Sequence, residues 1–286
     1  MNILLNEVTT ILLSGGIVNA NDEADRIIQA AHAVSLTDQS SAIFVGGDHR
    51  IIARFMAKRR AKGTPLAFVI GRELFMGVEL IVAEGVLAPR KETELLGNTA
   101  LEVIRSYDST ALRIIDMCCG TGNLACAIAH HMPNVQVWAS DLTDHCITTT
   151  RQNVEQLGVS DRVIVAQGDI FGGIAEFDLD ICIDIIVCNP PYISQSKLST
   201  DHAELLKHEP RVAFDGGPYG LSIHQRVIKE ALPFLKPGGV LMFEVGLGQE
   251  RQVKMLFDRT NAYENIRFVA NSAGEVRVVS GCKRAE

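Results

Sequence analysis

The sequence predicts an α/β protein, a doubly wound and mostly parallel sheet preceded by a small helical domain and a linking β-hairpin. Three observations predict it. From Glu92 onward, apolar runs of strand length alternate with segments of helical periodicity. Upstream of residue 66 the apolar residues recur at helical spacing. Between the two, Met76-Gly77 separates the β-prone runs Glu73-Leu74-Phe75 and Val78-Glu79-Leu80-Ile81-Val82, as a tight hairpin turn does. The expected domains are residues 1–66 (helical), 67–90 (hairpin linker) and 91–286 (main domain).

In the helical domain, Asn21-Asp22-Glu23 is expected to cap a helix through Asp25-Arg26-Ile27-Ile28-Gln29-Ala30-Ala31. A second helix is expected over His49 to Ala61, with Ile51, Ile52, Phe55 and Met56 on one face and Gly63-Thr64-Pro65 as its stop. In the main domain, strands are expected at Leu112–Asp116, Gln136–Ser140, Arg162–Gln167, Asp184–Cys188 and Val240–Val245. Helices fall between them at Glu92–Ser106, Leu124–His131, Asp144–Leu157 and Ser222–Leu235. Two last β-prone runs, Asn265–Ala270 and Glu275–Ser280, bring the count to seven and suit an antiparallel edge. Trp138, inside the second strand, is expected in the core.

Composition narrows the function classes. A formal net charge of −7 argues against an extended phosphate-binding surface, so no direct nucleic-acid partner is expected. Lys58-Arg59-Arg60 with Lys62 reads as solvated surface at a helix end, or as a contact for an acidic partner. The seven cysteines are odd in number, lack zinc spacing and lie partly inside apolar runs, as buried free thiols of a reducing cytoplasm do. The start lacks a basic segment followed by a long apolar one, and no run reaches the ~20 apolar residues of a membrane span. No metal site is expected; His130-His131 reads as a helix end. The oligomeric state is not legible.

The apolar run Asp184-Ile185-Ile186-Val187-Cys188 ends in Asn189-Pro190-Pro191-Tyr192. Each proline fixes its own φ and restricts the residue before it, so this corner is rigid. It offers two acceptors, the Asn189 side-chain oxygen and the Pro190 carbonyl, and a planar NH2 group has two hydrogens to donate. Enzymes that methylate an amide or amino nitrogen need such a pair to orient the nitrogen and offset its growing positive charge. Plain strand-to-loop punctuation is the competing reading.

A second constellation surrounds the first strand. Asp116 precedes Met117-Cys118-Cys119-Gly120-Thr121-Gly122-Asn123, a turn at the strand end where such sheets hold nucleotide-like ligands. Asp141 follows about twenty residues on, placed for ribose hydroxyls or for capping the next helix. Gly168-Asp169-Ile170-Phe171 ends the third strand, with Asp169 placed for an adenine amino group and the Phe171 ring for the base. The turn is not Gly-x-Gly-x-x-Gly, and an acid just before it suits an ammonium group better than a pyrophosphate. S-adenosyl-L-methionine carries both an ammonium group and a ribose; a dinucleotide is the alternative.

With these motifs the chain resembles the HemK/PrmC family, the release-factor glutamine N5-methyltransferases. The resemblance extends through Arg59-Arg60-Ala61-Lys62-Gly63-Thr64-Pro65-Leu66-Ala67, Glu73-Leu74-Phe75-Met76-Gly77 and Val86-Leu87-Ala88-Pro89-Arg90-Lys91-Glu92-Thr93-Glu94. It continues in His208-Glu209-Pro210-Arg211-Val212-Ala213-Phe214-Asp215-Gly216-Gly217 with Gly220-Leu221, and in Phe243-Glu244-Val245-Gly246 with Gln249. It implies the seven-stranded methyltransferase sheet, a substrate-docking N-terminal domain and methylation of a glutamine in a peptide chain release factor. It assigns catalysis to Asn189, Pro190 and Tyr192. Cofactor binding falls to Asp116, Cys118, Gly120, Thr121, Gly122, Asp141, Leu142, Asp169, Ile170 and Asn189.

Three departures stand out. Lys91 replaces a proline, Cys118 replaces the first glycine of the turn, and Asn271 replaces an aspartate. Cys118 is expected at an ordinary negative φ. Lys91 opens the alternative of a small-molecule enzyme on the same scaffold, acting on an amino-acid-like substrate or cyclising S-adenosylmethionine itself. Base methylation of nucleic acid fits the tetrapeptide but not the acidic charge.

Overall fold

The structure, a computed structural model, describes residues 3–37, 48–108, 111–200 and 205–285. The chain divides into two compact units, Met1–Arg72 and Glu73–Glu286.

The first unit holds α1 (Ile3–Ser14), α2 (Ala20–Thr37), α3 (His49–Ala61) and the short α4 (Leu66–Ile70). Residues 38–47, part of the expected helical domain, lie outside the described residues. Leu4, Val8 and Leu12 of α1 meet Ala24, Ile27 and Ala31 of α2 and Ile52, Ala53, Met56 and Ala57 of α3 in one core. The expected cap Asn21-Asp22-Glu23 instead forms the first turn of α2, which starts at Ala20; acids there still favour the helix dipole. Helix α3 has the expected bounds, with the Asp48 side chain accepting from Arg50 N–H as its cap. The expected apolar face is half right. Ile52 and Met56 are buried, whereas Ile51 and Phe55, one position round the helix, are 60% and 45% exposed. Arg60 is no solvated cation: its Nε reaches Glu23 Oε2 at 2.6 Å.

The second unit begins with the hairpin β1 (Arg72–Phe75) and β2 (Val78–Ile81). Met76 and Gly77, at φ 49° and 82°, make the tight turn whose twist matches the strands. Then follow α5 (Glu94–Arg105), β3 (Arg113–Met117), α6 (Asn123–His131), β4 (Gln136–Asp141), α7 (Asp144–Gln156), β5 (Val163–Gln167) and β6 (Ile183–Cys188). The chain ends with α8 (Gln195–Thr200), α9 (Ser222–Glu230), β7 (Leu235–Glu244), α10 (Glu250–Thr260), β8 (Tyr263–Ala270) and β9 (Val276–Lys283). The seven-stranded order is β5-β4-β3-β6-β7-β9-β8. The first five are parallel, and β9 pairs antiparallel with β7 and β8. Helix α9 stops at Glu230 rather than Leu235, because Pro233 cannot continue it and disfavours helix in the residue before.

Alternate residues of each central strand enter opposite cores. Ile114, Val137, Ile185 and Met242 face α5, α6 and the hairpin; Ile115, Trp138, Ile186 and Phe243 face the side of α9 and α10. Both faces are covered, which is why β6 is buried at every position and apolar at all but Asp184.

One buried side chain ties the hairpin to the sheet. Asn153 of α7 accepts from Ile81 N–H at 2.6 Å and donates to the carbonyls of Ile81 (3.1 Å) and Thr121 (2.9 Å). Asn153→Ala leaves three backbone groups without this partner, so the expected loss is about 3 kcal/mol. Urea denaturation checks it; a loss below about 1 kcal/mol would remove Asn153 from this role.

Candidate active site

In open α/β sheets ligands settle where the strand order reverses. Here the chain runs outward from β3 to β4 and β5, then returns to place β6 on the other side of β3. Met117 is in register with Cys188, so the turn beginning at Cys118 and the corner beginning at Asn189 leave the sheet side by side. Met117 also pairs with Ser140, which brings Asp141 to the same edge. Asp116, the turn, Asp141 and Asn189 therefore converge at one edge of the sheet.

The turn is held from below. Asp141 Oδ2 accepts from Gly120 N–H at 2.9 Å, and Oδ1 accepts from Leu142 N–H at 2.8 Å. The Thr150 hydroxyl donates to the Gly120 carbonyl at 3.0 Å. Capping of α7, the alternative role for Asp141, is carried by Thr143, whose hydroxyl accepts from Cys146 N–H. Gly120 sits at φ 57°, and a side chain built there would meet no protein atom within 4 Å, so this backbone borders open space. Cys118 corrects the expectation of an ordinary conformation: its φ is 60°, the left-handed region that costs a side-chain-bearing residue about 1–2 kcal/mol. Ile170, at φ 51°, is strained in the same way at the end of β5.

Asp116 is fully buried. Its Oδ2 accepts from Ala125 N–H at 2.9 Å, while Oδ1 has no partner. Burial, opposed by that bond and reinforced by the Asp141 charge, pushes its pKa up to about 7. A buried carboxylate with an orphaned oxygen is what an incoming cation would satisfy.

Asp169 is placed otherwise than its neighbours. Its carboxylate is exposed and paired with Arg226 Nη1 at 2.9 Å. The Phe171 ring is buried and stacks on Phe234 at 4.9 Å between centroids.

The Asn189 corner is clamped on three sides. Asn189 Nδ2 donates to Thr93 Oγ1 at 3.0 Å. Among the described residues, neither Asn189 Oδ1 nor the Pro190 carbonyl accepts a hydrogen bond. Gln249 Nε2 donates to the Tyr192 carbonyl at 2.9 Å, and its Oε1 accepts from Gly246 N–H. Residues 214–217 run alongside, with Ile193 N–H donating to the Phe214 carbonyl and Gly216 N–H to the Ile193 carbonyl, both at 2.9 Å. The glycine at 220 is required by close approach: a Cβ there would lie 2.3 Å from the Tyr192 carbonyl oxygen, at φ 73°.

Behind the tyrosine lies a buried charged pair. Tyr192 Oη donates to Glu244 Oε1 at 3.3 Å, and Arg277 Nη2 donates to both the Tyr192 hydroxyl and Glu244 Oε1 at 3.3 Å. Burial raises the Glu244 pKa; Thr93, Arg277 and Tyr192 draw it back. Burial and the Glu244 charge raise the Tyr192 pKa.

Residues 95–270 match the family described as Methyltransferase small domain. The chain is 35% identical over 228 residues to the release factor glutamine methyltransferase of Moorella thermoacetica, covering 80% of this chain and 78% of that one. It is 32% identical over 260 residues to that of Streptomyces coelicolor, covering 90% of both. The chain belongs to the HemK/PrmC family of release factor glutamine methyltransferases. Among solved structures, the hMettl16 catalytic domain superposes with a TM-score of 0.55 at 18% identity, covering 79% of this chain and 81% of that one, a likeness of fold. The cofactor of this methyltransferase is S-adenosyl-L-methionine, and the orphaned Asp116 oxygen and the open Gly120 backbone fit it.

As a HemK/PrmC member the chain explains its own departures. Glu209 is buried, accepts from Ala88 N–H at 3.0 Å and pairs with Arg90, so the Glu209-Pro210 loop latches onto the Ala88-Pro89-Arg90 segment. Lys91, just beyond that latch, is exposed. Asn271 works in the β8–β9 turn: its Oδ1 accepts from Ala273 and Glu275 N–H, and its Nδ2 donates to Glu275 Oε2. An aspartate there would face Glu275 with like charge. Thr93, Glu244 and Gln249, which hold the corner, lie within motifs shared with the family, whereas nothing in the local pattern marks Arg277.

Proposed function

We propose that this methyltransferase acts in the cytoplasm on the side-chain amide nitrogen of a glutamine in a peptide chain release factor. The observation that carries the reading is a pair of open acceptors, Asn189 Oδ1 and the Pro190 carbonyl, fixed beside the glycine turn. The relatives' substrate supplies the amide, and the seven free thiols suit a reducing compartment.

Asp116 would meet the cofactor's ammonium group, and the backbone of Cys118, Gly120, Thr121 and Gly122 would line it. Asp141 and Leu142 would face the ribose, Asp169 and Ile170 the adenine. When bound, S-adenosylmethionine supplies an electrophilic methyl group on its sulfonium. The protein's task is then geometric, because an amide nitrogen is a poor nucleophile. Asn189 Oδ1 and the Pro190 carbonyl would each take one N–H of the substrate amide, favouring a pyramidal nitrogen and offsetting its developing charge. Tyr192, held by Glu244 and Arg277, would wall the slot. Positioning of this kind accounts for most of the acceleration, and the proton leaves to solvent after transfer.

The test is incubation of the enzyme with isotopically labelled S-adenosylmethionine and a bacterial release factor, followed by peptide mass spectrometry. One labelled methyl group on a single glutamine is expected. A labelled or cyclised small product, or a labelled base, with the release factor unmodified, would overturn the reading.

Gly220→Ala tests the corner itself. The added methyl group must displace the Tyr192 carbonyl, so kcat is expected to fall at least about tenfold. The Kd for S-adenosylmethionine is expected to stay within about threefold, since no residue of the turn moves. Steady-state kinetics and calorimetry read the two; an unchanged kcat would dissociate the corner from chemistry.

A further inference from the structure

We infer that Thr93 is a positioning residue that decides which end of the Asn189 amide meets the substrate, by accepting the Nδ2 hydrogen on its hydroxyl oxygen. The inference rests on the reading of Asn189 as an acceptor for a substrate amide. A carboxamide has a donor end and an acceptor end of almost the same shape, and a half-turn about its last torsion exchanges them. With Nδ2 facing the substrate, donor would meet donor and the nitrogen would not be held. With Nδ2 on Thr93, Oδ1 is the end left open.

The surroundings of Thr93 hold its side chain in place. Thr93 is 1% exposed and closes the single helical turn Lys91–Thr93 that leads into α5. Glu244, whose carboxylate the Thr93 hydroxyl influences, is 2% exposed. Glu244 Oε1 is engaged by Tyr192 and Arg277, while Oε2 is buried without a close partner. The Thr93 hydroxyl favours the ionised form of that carboxylate. A carboxylate only accepts, and a hydroxyl has one hydrogen and two lone pairs. An amide NH2 only donates, so Thr93 Oγ1 takes its hydrogen on a lone pair, and that lone pair matches the NH2 end of the amide. Thr93 and Asn189 lie 96 positions apart in sequence, so the fold alone brings the pair together.

The test uses the full-length enzyme and its protein substrate. Thr93→Val keeps the shape and removes the hydroxyl; Thr93→Ser keeps the hydroxyl; Thr93→Ala is the second truncation should valine fail to fold. Valine and alanine are expected to lower kcat by about 10²-fold, with the Kd for S-adenosylmethionine within about threefold of wild type. Serine is expected to restore kcat to within about threefold. In an Asn189→Ala background, Thr93→Val is expected to cost nothing further in single-turnover rate, because Thr93 acts only through Asn189. Wild-type kcat in Thr93→Val beside an inactive Asn189→Ala would overturn the inference and spare the reading of Asn189. Equal losses of kcat and cofactor affinity, or an added loss in the double variant, would make Thr93 structural and overturn it too. An active Asn189→Ala enzyme would instead remove the underlying reading.

Discussion

Asn189→Ala is expected to lower kcat for methyl transfer by about a thousandfold while the Kd for S-adenosylmethionine stays within a few-fold. The magnitude follows from removing one of two fixed dipoles aimed at developing charge, a loss that typically costs 10²–10³-fold. The Pro190 carbonyl alone cannot hold a planar NH2 group, because the second hydrogen is then free to turn the nitrogen away from the line of attack. Cofactor affinity is spared because the proposed cradle is built elsewhere, on Asp116, the Gly120 turn and Asp141, which is fixed by the Gly120 and Leu142 N–H groups. The fold is spared as well. Asn189 is only half-buried, and its one side-chain bond to Thr93 is worth about 1 kcal/mol. Stopped assays with labelled cofactor and a binding isotherm separate the two quantities. Near-normal turnover would end the assignment of this corner to chemistry; collapse of cofactor binding in step with turnover would relocate its role to the cradle.

How much of this was legible in the residues follows from the range of the forces involved. The β6 run, the Met76-Gly77 turn and the bounds of α3 are local: periodicity, a turn dipeptide and a stop signal lie within a dozen residues. The antiparallel edge was legible too, since β8 and β9 are joined by a short Asn-containing turn. The end of α9 is also local, signalled by Pro233 three residues beyond Glu230. The clamp on the corner was not local. Gln249 reaches Tyr192 across 57 positions, Arg277 reaches Glu244 across 33, and Asn153 reaches Ile81 across 72. Each is a polar group at least partly buried by tertiary packing, and only the fold decides which partner it finds. Cys118 differs from expectation for a related reason. The turn is dictated by its hydrogen bonds to Asp141 and Thr150 whatever residue occupies position 118.

The same distinction between cradle and corner predicts an acid limit on cofactor binding. Asp116 is held at a pKa of about 7, mainly by desolvation, against about 4 for an aspartate in an unfolded chain. The groups around it do not relieve this: Asp141 adds like charge, and the Cys119, Cys126 and Cys188 thiols stay neutral, with pKa values raised by burial. A raised carboxyl pKa means that the free folded protein binds the extra proton between about pH 4 and pH 7. Its stability therefore falls as pH rises through that window and levels off above it, the ionised form costing about 4 kcal/mol. A bound ammonium group reverses the preference, because it pairs the orphaned Oδ1 and favours the charged carboxylate. Binding must then expel a proton below about pH 7, and the Kd for S-adenosylmethionine is expected to rise about tenfold per pH unit on going from pH 7 to pH 5.5. Asp116→Asn should separate the two halves of the argument. The free variant is expected to be at least as stable as wild type at pH 8, since no buried charge remains, yet to bind cofactor at least about a hundredfold more weakly and without that pH dependence. Calorimetry in buffers of different ionisation enthalpy counts the released proton directly. A flat pH profile in the wild type, or wild-type affinity in Asp116→Asn, would place the ammonium group away from this carboxylate.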